Sequence, residues 1–455
     1  MTARREFIAG LVATCILPRL ATAQVDGLTV LTAEKTEMQI LGAGGGKTPA
    51  WRFMKDQPVA ILHAKQGQEF KGRIVNHLDQ EIWLHWFGVR GKSEMMTLNV
   101  LPGDDNALDF AFTPPDAGTF WFGPMLFASE QRDMGLYGML IVDEQPALDF
   151  TDVPLVFDDW KIDDGGKPTG QFGSLEAAIG EGRTGNWFTV NGTFKPHLKI
   201  DRAKPVRLRL LNAANARDMN VLFKGADLYV IAGDGQPVPP RALGLQALKL
   251  IPGARVDLLM MEMKSTVTIA LDLFEDVVEV GSLTAEGPDV PHELPDNFAL
   301  PANPVALLGD VAAARQISIV IAGGAKGGLK SAKVGNQELD MRRLLEKGLA
   351  WAFNGVAGTG GPSLFDAKLG ETLILSFDNT TAFPQPLHIH GHVWQVLEMD
   401  GKAVEKQPWR DTAVVPGLST LKLAFVADNP GTWVLQSLIA ERSDAGLLGS
   451  FTVTI

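Results

Sequence analysis

Cysteine is almost absent from this sequence of 455 residues, where Cys15 is the one instance. Residues 1–23 have the pattern of a cleaved export signal, so the mature chain is expected to contain no cysteine. This absence excludes disulfides, thiolate metal ligands and a cysteine nucleophile. Because disulfides form readily in exported proteins, their absence leaves burial of the apolar core to stabilise the fold.

Basic residues are also fewer than acidic residues in this sequence. The chain has 41 Lys and Arg against 53 Asp and Glu, which gives a formal net charge of −12. Nucleic-acid-binding proteins need a basic surface, so we expect no nucleic-acid partner. Beyond the N-terminal segment, no apolar run reaches the ~20 residues that span a bilayer, so we expect no membrane span after signal removal.

The N-terminus has the features of a bacterial export signal. Arg4 and Arg5 precede an apolar run that continues through Leu17, and Ala21-Thr22-Ala23 provides a small-x-small cleavage site. Paired arginines before an apolar run are the twin-arginine form of such signals. We predict export to the periplasm by that route, and an ordinary secretory signal or an N-terminal anchor is the alternative.

The remaining chain has the pattern of an all-β protein. It contains 48 Gly and 27 Pro, and short apolar runs recur about every 8–12 residues between turn signals, which is typical of β-sandwiches or barrels. We predict three units at 24–148, 149–275 and 315–455. A linker rich in Pro, Ala, Gly and acidic residues is predicted at 276–314, and the clearest helical pattern is Leu339–Leu349.

Recurring motifs predict that the three units are copies of one β-sandwich. Each unit has a strand that ends in asparagine, and the first and third units also share two closing motifs. The asparagines are Asn76, Asn212 and Asn379, and the shared motifs are Gly118–Trp121 with Gly431–Trp433 and Gly135–Val142 with Gly446–Val453.

Three of the eight histidines form the cluster His388, His390 and His392. Alternate side chains of a strand point to the same face, so all three would share a face if this segment is a strand. Imidazole is the commonest metal ligand. The cluster is therefore a candidate half of a metal site.

The chain resembles the multicopper oxidase family over nearly its whole mature length. The segments that carry this resemblance are Leu84–Gly88, Ala117–Phe122, Val206–Asn212, Asp234–Gly235, Pro252–Asp257, Pro386–His392, Trp409–Thr412 and Pro430–Val453. The resemblance implies three tandem cupredoxin-like Greek-key β-sandwich domains. It also implies a type 1 copper held by two His and one Cys, and a trinuclear copper cluster held by eight His.

By this resemblance, most copper ligands are replaced in this chain. Gln385, Ser437 and Arg442 stand at the type 1 positions, and Ser437 cannot replace a thiolate because a hydroxyl is neither as soft nor as basic. Leu447 stands at the axial position of the type 1 site, where a leucine argues neither for nor against a copper ion. Phe87, Gly123, Met125, Gln436 and Leu438 stand where the cluster needs imidazoles.

The resemblance leaves three histidines at ligand positions. His85 and His388 match both type 2 positions, and His390 matches one type 3 position. One hypothesis is a single residual metal ion, a copper, held by His85, His388 and His390. The other is that the three are neutral, hydrogen-bonded remnants at a domain interface and that no cofactor binds. His392 matches no ligand position, and we expect it to pack.

Two further groups of residues have open interpretations. Glu441 and Arg442 are expected to form a surface or half-buried ion pair, with a partner-binding patch as the alternative. Asp257 and Asp411 are interpreted as structural carboxylates rather than as acid–base catalysts.

The resemblance extends to a copper-free, twin-arginine-exported member of the family that acts in bacterial division. It implies a non-catalytic periplasmic scaffold or stabiliser of the envelope or division machinery, with protein partners in the cell envelope and an open oligomeric state. The alternative is a copper-binding oxidoreductase with a mononuclear, type 2-like site.

Overall fold

The computed structural model describes residues 14–15, 24–25, 28–42, 44–287, 294–325, 328–405 and 408–455. The predicted export signal lies outside these residues except for strand β1 (Thr14–Cys15), so it stays a prediction. Among the described residues, no helix has the length and apolar character needed to cross a bilayer.

The first domain is a sandwich of two sheets with strand orders β2-β3-β6-β9, where β4 joins β3, and β5-β11-β10-β7-β8. Its elements are β2 (Gln24–Val25), β3 (Leu28–Met38), β4 (Thr48–Arg52), β5 (Ala60–Lys65), β6 (Phe70–Asn76), β7 (Ile82–Phe87), α1 (Ser93–Met96), β8 (Thr97–Val100), a 3-10 turn (Asp104–Asn106), β9 (Leu108–Phe112), β10 (Gly118–Pro124), α2 (Ala128–Asp133) and β11 (Gly138–Asp143).

The second domain is built on one sheet with the order β1-β14-β20-β19-β15-β12-β13. Strand β16 attaches to this sheet through β19, and β17 and β18 pair with β16. Its elements are β12 (Thr151–Trp160), α3 (Leu175–Ile179), β13 (Trp187–Val190), β14 (His197–Asp201), β15 (Val206–Asn212), β16 (Met219–Gly233), β17 (Gln236–Ala242), β18 (Leu248–Leu250), β19 (Arg255–Asp272) and β20 (Val277–Glu286).

The third domain has sheets of order β24-β21-β26-β31-β28-β29 and β25-β33-β32-β27-β30, with a separate β22-β23 hairpin. Its elements are β21 (Arg315–Gly323), β22 (Ser331–Val334), β23 (Gln337–Asp340), α4 (Met341–Glu346), β24 (Trp351–Phe353), β25 (Asp366–Lys368), β26 (Thr372–Asn379), β27 (Gln385–Ile389), β28 (Trp394–Met399), β29 (Lys402–Ala403), β30 (Thr412–Val415), β31 (Ser419–Val426), β32 (Gly431–Ser437), α5 (Ala440–Asp444) and β33 (Leu448–Thr454).

The same strand pairing recurs in each domain, which confirms the predicted repeat and the all-β class. Two parallel pairs recur in each domain: β3–β6 and β5–β11, β12–β15 and β14–β20, β21–β26 and β25–β33. In the second domain β1 adds a further parallel pair with β14. Since parallel strands cannot be joined by a tight hairpin, the recurring pairs define the crossover topology that the three units share.

The three strand-ending asparagines, Asn76, Asn212 and Asn379, are buried and make the same hydrogen bonds in each domain. Each Oδ1 accepts from the backbone N–H two residues later, and each Nδ2 donates to backbone carbonyls of the next loop and of a second strand. Such corners satisfy backbone groups that a strand end would leave unpaired.

The largest apolar core runs through both the first and the third domains, whereas the second domain has a separate core. Trp86 and Phe122 of the first domain belong to the same buried cluster as Leu387 and Phe451 of the third. This shared core holds β7 and β27 close together across the domain boundary.

The linker predicted at 276–314 is shorter in the structure, because β20 lies within that range and belongs to the sheet of the second domain. The described part of the remainder, 294–314, has neither strands nor helices. There Asn303 accepts from the Ala117 N–H at 2.9 Å and donates to the carbonyls of Ala117 and Gly235, both at 2.9 Å. The linker thereby ties the first domain to the second.

Candidate functional site

The three predicted metal-site histidines lie together at the boundary of the first and third domains. His85 lies on β7, His388 on β27, and His390 in the turn that follows β27. Their ligand atoms all lie within 4.8 Å of one another, and all three residues are buried. The rings of His85 and His390 stack with centroids 3.7 Å apart.

His85 and His388 each present one buried ring nitrogen without a partner. The Nδ1 atoms are anchored, that of His85 to Thr97 Oγ1 at 2.8 Å and that of His388 to the Asp411 carbonyl at 3.1 Å. Because a carbonyl only accepts, the His388 Nδ1 carries the proton. Both Nε2 atoms are buried, and neither has a hydrogen-bond partner in the described structure. When the ring is neutral, the His388 Nε2 is therefore unprotonated and has a lone pair available.

His390 is held differently. Its Nε2 lies 2.9 Å from the Gln436 amide oxygen, which accepts the hydrogen bond. Gln436 reaches it from β32, where it stands opposite His388. The His390 Nε2 is thus occupied by a protein acceptor, which leaves two of the three histidines with a free Nε2.

Burial favours the neutral forms of His85 and His390. It lowers the pKa of His85 and of His390 well below the ordinary histidine value, and the neighbouring imidazoles lower both pKa values further. Burial alone would raise the pKa of Asp411, but Arg255 and His388 lower it to about 2. Neutral imidazoles beside a carboxylate suit a metal ion and also suit a dry hydrogen-bonded interface.

His392 does not share the face of His388 and His390, as a continuous strand would require. The strand ends at Ile389, and Gly391 turns the chain with a φ of 67°. The His392 ring instead packs edge-on against Phe425 and Trp433. Its expected packing role agrees with these contacts, whereas its expected direction was wrong because the strand stops too early.

Apolar side chains fill the space beside the histidines. Phe87 stacks on Trp121 with centroids 3.8 Å apart and also contacts the His85 ring edge-on at 4.7 Å. Leu438 packs in the same buried cluster. Gly123 stands beside His85 in the β7–β10 register and presents no side chain. These positions therefore add no donor atom to the site.

The buried guanidinium of Arg442 lies beside Gln385. Arg442 Nη1 donates to Gln385 Oε1 and Nη2 donates to the Gly180 carbonyl, both at 2.9 Å. The guanidinium also lies 5.1 Å from the ring centres of Trp351 and Phe383. Burial lowers the pKa of Arg442 to about 10, so it stays charged at neutral pH.

Glu441 is also buried, so the expected surface or half-buried pair with Arg442 was wrong. Its carboxylate accepts from Ser129 Oγ at 2.9 Å, from Asn215 Nδ2 at 3.0 Å and from the Arg183 N–H at 3.0 Å. These partners come from the first and second domains. Glu441 is thus an interdomain clamp, and its burial also excludes a patch for an external partner.

One short helix from each domain meets at this junction, because α5 contacts both α2 and α3. Asp444 at the end of α5 accepts from the N–H groups of Ala128 and Ser129 at the start of α2, at 3.1 and 2.8 Å. Carboxylates at helix N-termini are favourable. Burial nevertheless raises the pKa of Asp444 to about 7.

A second interdomain clamp, formed by Arg255 and Asp411, lies next to His388. Arg255 of the second domain makes a two-point ion pair with Asp411 of the third, with Nη1 2.9 Å from Oδ1 and Nη2 close to Oδ2. Arg255 Nε also donates to the Thr119 carbonyl of the first domain at 3.3 Å. The structural role predicted for Asp411 agrees with these contacts. Its pairing with Arg255 was not predicted, because no short-range pattern connects the two.

Sequence profiles described as multicopper oxidase match residues 34–147, 151–268 and 334–455. The multicopper oxidase MmcO of Mycobacterium tuberculosis is 25% identical over 453 residues, covering 90% of this chain and 84% of that protein. The cell division protein FtsP of Xenorhabdus nematophila is 26% identical over 446 residues, covering 90% and 86%. A crystal structure of a multicopper oxidase from Pseudomonas thermotolerans superposes with a TM-score of 0.79 at 27% identity, covering 98% of this chain and all of that one.

The Arg255→Met substitution is expected to lower stability by about 3–5 kcal/mol, because it leaves the Asp411 carboxylate buried without its partner. Thermal unfolding measures the loss. Arg73→Met is the matched control, since it breaks the exposed Arg73–Asp109 pair, whose side chains are 48% and 62% exposed. A loss at Arg255 no greater than that of the control would contradict the clamp.

The Asp444→Asn substitution is expected to stabilise the protein more at high pH than at low pH. Folding raises the pKa of Asp444 to about 7, so its stabilising contribution is fully present below the unfolded pKa, ~4. That contribution is lost as the pH rises through 7. Unfolding midpoints of variant and parent, compared at about pH 5 and about pH 8.5, give the difference. Asp105→Asn, at an exposed carboxylate, should show no such trend, and equal shifts at both pH values would refute the assignment.

Proposed function

The chain belongs to the multicopper oxidase family, and we propose that it is an exported, non-catalytic member that acts in the periplasm as a scaffold or stabiliser of envelope or division proteins. Fold alone does not assign function, because a family scaffold can be kept after its site chemistry is lost. The proposal therefore depends on the side chains at the positions of the copper ligands.

The observation that carries the proposal is the Arg442 guanidinium. By resemblance, Arg442 and Gln385 stand where the oxidases hold type 1 copper, and here the two side chains bind each other at 2.9 Å. A guanidinium has no lone pair for a metal, and its positive charge repels a cation. Ser437 supplies a hydroxyl in place of the thiolate that a type 1 copper needs. This arrangement supports loss of the site through which oxidases in this family accept electrons.

Relatives named for cell division support the envelope role. FtsP proteins from Xenorhabdus nematophila and three other bacteria match this chain at 24–27% identity. The paired Arg4 and Arg5 before an apolar run support export by the twin-arginine route. A protein of this kind would act through binding surfaces, with its buried clamps keeping three domains in a fixed arrangement.

A second candidate function is a copper-dependent oxidoreductase with one mononuclear copper. Two buried and unpartnered nitrogens, Nε2 of His85 and of His388, favour it. These atoms would hold the ion, while Thr97 and Asp411 orient the rings through Nδ1. A bound copper would supply one-electron redox chemistry. The donor set fits one such ion and fits neither a type 1 copper nor a trinuclear cluster.

After copper loading of the purified mature protein, we expect neither the blue absorbance of a copper thiolate nor oxidation of phenols, because Cys15 lies in the predicted signal and Ser437 stands at the thiolate position. Elemental analysis of the same samples separates the two candidates. Copper near zero in the parent supports the scaffold. About one equivalent that is lost in His85→Ala and in His388→Ala, but kept in the exposed control His77→Ala, supports the copper site.

Complementation gives the functional test. We expect a strain that lacks the gene to divide abnormally under envelope stress, and a His85→Ala/His388→Ala variant to restore division as well as the parent does. Crosslinking in cells should capture envelope or septal proteins with both. Failure of a folded, abundant double variant would favour the copper candidate. Normal division without the gene, together with no captured partner, would end the scaffold proposal.

A further inference from the structure

Two exposed apolar side chains lie where the first and second domains meet. Phe127 precedes α2 and is 51% exposed, and Leu175 begins α3 and is 37% exposed. The two segments are joined by a hydrogen bond of 2.9 Å, which the Gly173 N–H donates to Ser129 Oγ. Phe127 and Leu175 each lie two residues from this bond, and two residues span about 7 Å at most. Both side chains therefore belong to one small region of the surface.

The interdomain clamps hold this region in place. Asp444 accepts from the N–H groups of Ala128 and Ser129, and Glu441 accepts from Ser129 Oγ. Helix α5 contacts both α2 and α3. A surface that is already fixed loses little conformational freedom when a partner binds. The region is thus suited to presenting apolar side chains to another molecule.

The backbone of Phe127 is in the left-handed region, with a φ of 55° and a ψ of 29°. A residue with a side chain adopts this conformation at a cost that glycine would avoid. Because about half of the residue is exposed, packing within the chain offsets only part of that cost. Strained residues cluster at binding sites, and aromatic side chains are enriched in interfaces. Phe127 therefore has the features of an anchor for a contact outside this chain.

Exposed charge in this region is acidic. The segments that form the junction, 124–135, 171–183 and 438–447, contain no lysine. Their arginines are all buried and bonded within the chain: Arg132, Arg183 and Arg442. Glu176 and Glu181, in contrast, are exposed. Such a surface attracts a basic partner and repels an anionic one.

We propose that the surface formed by Phe127, Leu175, Glu176 and Glu181, the α2–α3 face, binds a basic, apolar segment of a protein partner. Bulky apolar side chains of the partner would pack on Phe127 and Leu175, and its Lys or Arg side chains would pair with the two glutamates. An apolar centre with a charged rim is the usual arrangement of a protein interface. This inference rests on the proposed scaffold function, for which it names the surface and the kind of partner.

Fluorescence anisotropy with labelled synthetic peptides tests the proposal on the mature protein. The probe is a short amphipathic peptide of Leu and Lys, and peptides of the same length made of Leu and Glu or of Ser and Lys are the comparisons. We expect saturable binding of the Leu and Lys peptide, roughly tenfold or more tighter than that of either comparison peptide. Added salt should weaken this binding, because exposed charges are screened.

Phe127→Gly is the decisive variant, because glycine removes the ring and adopts a φ of 55° without strain. It should weaken binding of the Leu and Lys peptide roughly tenfold, as truncation of an interface anchor does. Glu176→Gln should have a smaller effect and should reduce the dependence on salt. The matched control is Phe274→Gly, at a phenylalanine between β19 and β20 that is 91% exposed and has a φ of 70°. It should bind the peptide as the parent does.

Unfolding midpoints show whether each variant is folded, and Leu175→Ala supplies the same comparison if Phe127→Gly is not. The proposal is overturned by equal weakening in Phe274→Gly, by equal binding of the Ser and Lys peptide, or by no saturable binding in the parent. Binding to phosphatidylglycerol vesicles that depends on Phe127 would also overturn it, since the face would then contact a membrane. A chain that restores division but does not bind the peptide removes the α2–α3 face alone. A chain that binds the peptide but is dispensable for division removes the scaffold role alone.

Discussion

The two-point ion pair of Arg255 and Asp411 is the interaction on which the three-domain arrangement depends. Arg255 contacts the first domain through the Thr119 carbonyl and the third through Asp411, and the Asp411 backbone orients His388. The pair is fully buried, where removal of one partner leaves an uncompensated charge. It also restricts its neighbour Gly88, where a Cβ would lie 2.4 Å from Asp411 Oδ2 and 2.5 Å from Arg255 Nη2.

At several positions that match copper ligands in the family, the interior contains packed or hydrogen-bonded side chains of other types. Phe87 stacks on Trp121 within the first domain, and Arg442 binds Gln385 within the third domain. Glu441 adds a clamp to the other two domains. Arg442 and Glu441 both have fixed hydrogen-bond partners, which is the condition under which burial of charge is tolerated. A rigid junction of this kind fits a protein that works through its surface.

Much of the fold could be predicted from sequence, because its signals are local. Strand-ending asparagines such as Asn76 recur at the equivalent position of each domain. Short apolar runs at regular spacing predicted the β-sandwich class. The errors occurred where the outcome depended on distant groups. The direction of His392 changed because the chain turns at Gly391, and Glu441 is a buried clamp because two other domains cover it. The linker was predicted too long because β20 also pairs with the distant strand β14, and the composition of the segment does not reveal that pairing.

The sequence by itself determined the family, the three-domain β architecture, the single cysteine at position 15 and the three histidines at ligand positions. Those properties follow from residue identity and short-range spacing. Only the tertiary structure decided that His85 and His388 each keep a free buried nitrogen while His390 is bound to Gln436. It also decided that the Arg410 guanidinium packs against Gly233 of the second domain. Hydrogen-bond partners and burial are set by groups far apart in the chain, and spacing along the sequence does not specify them.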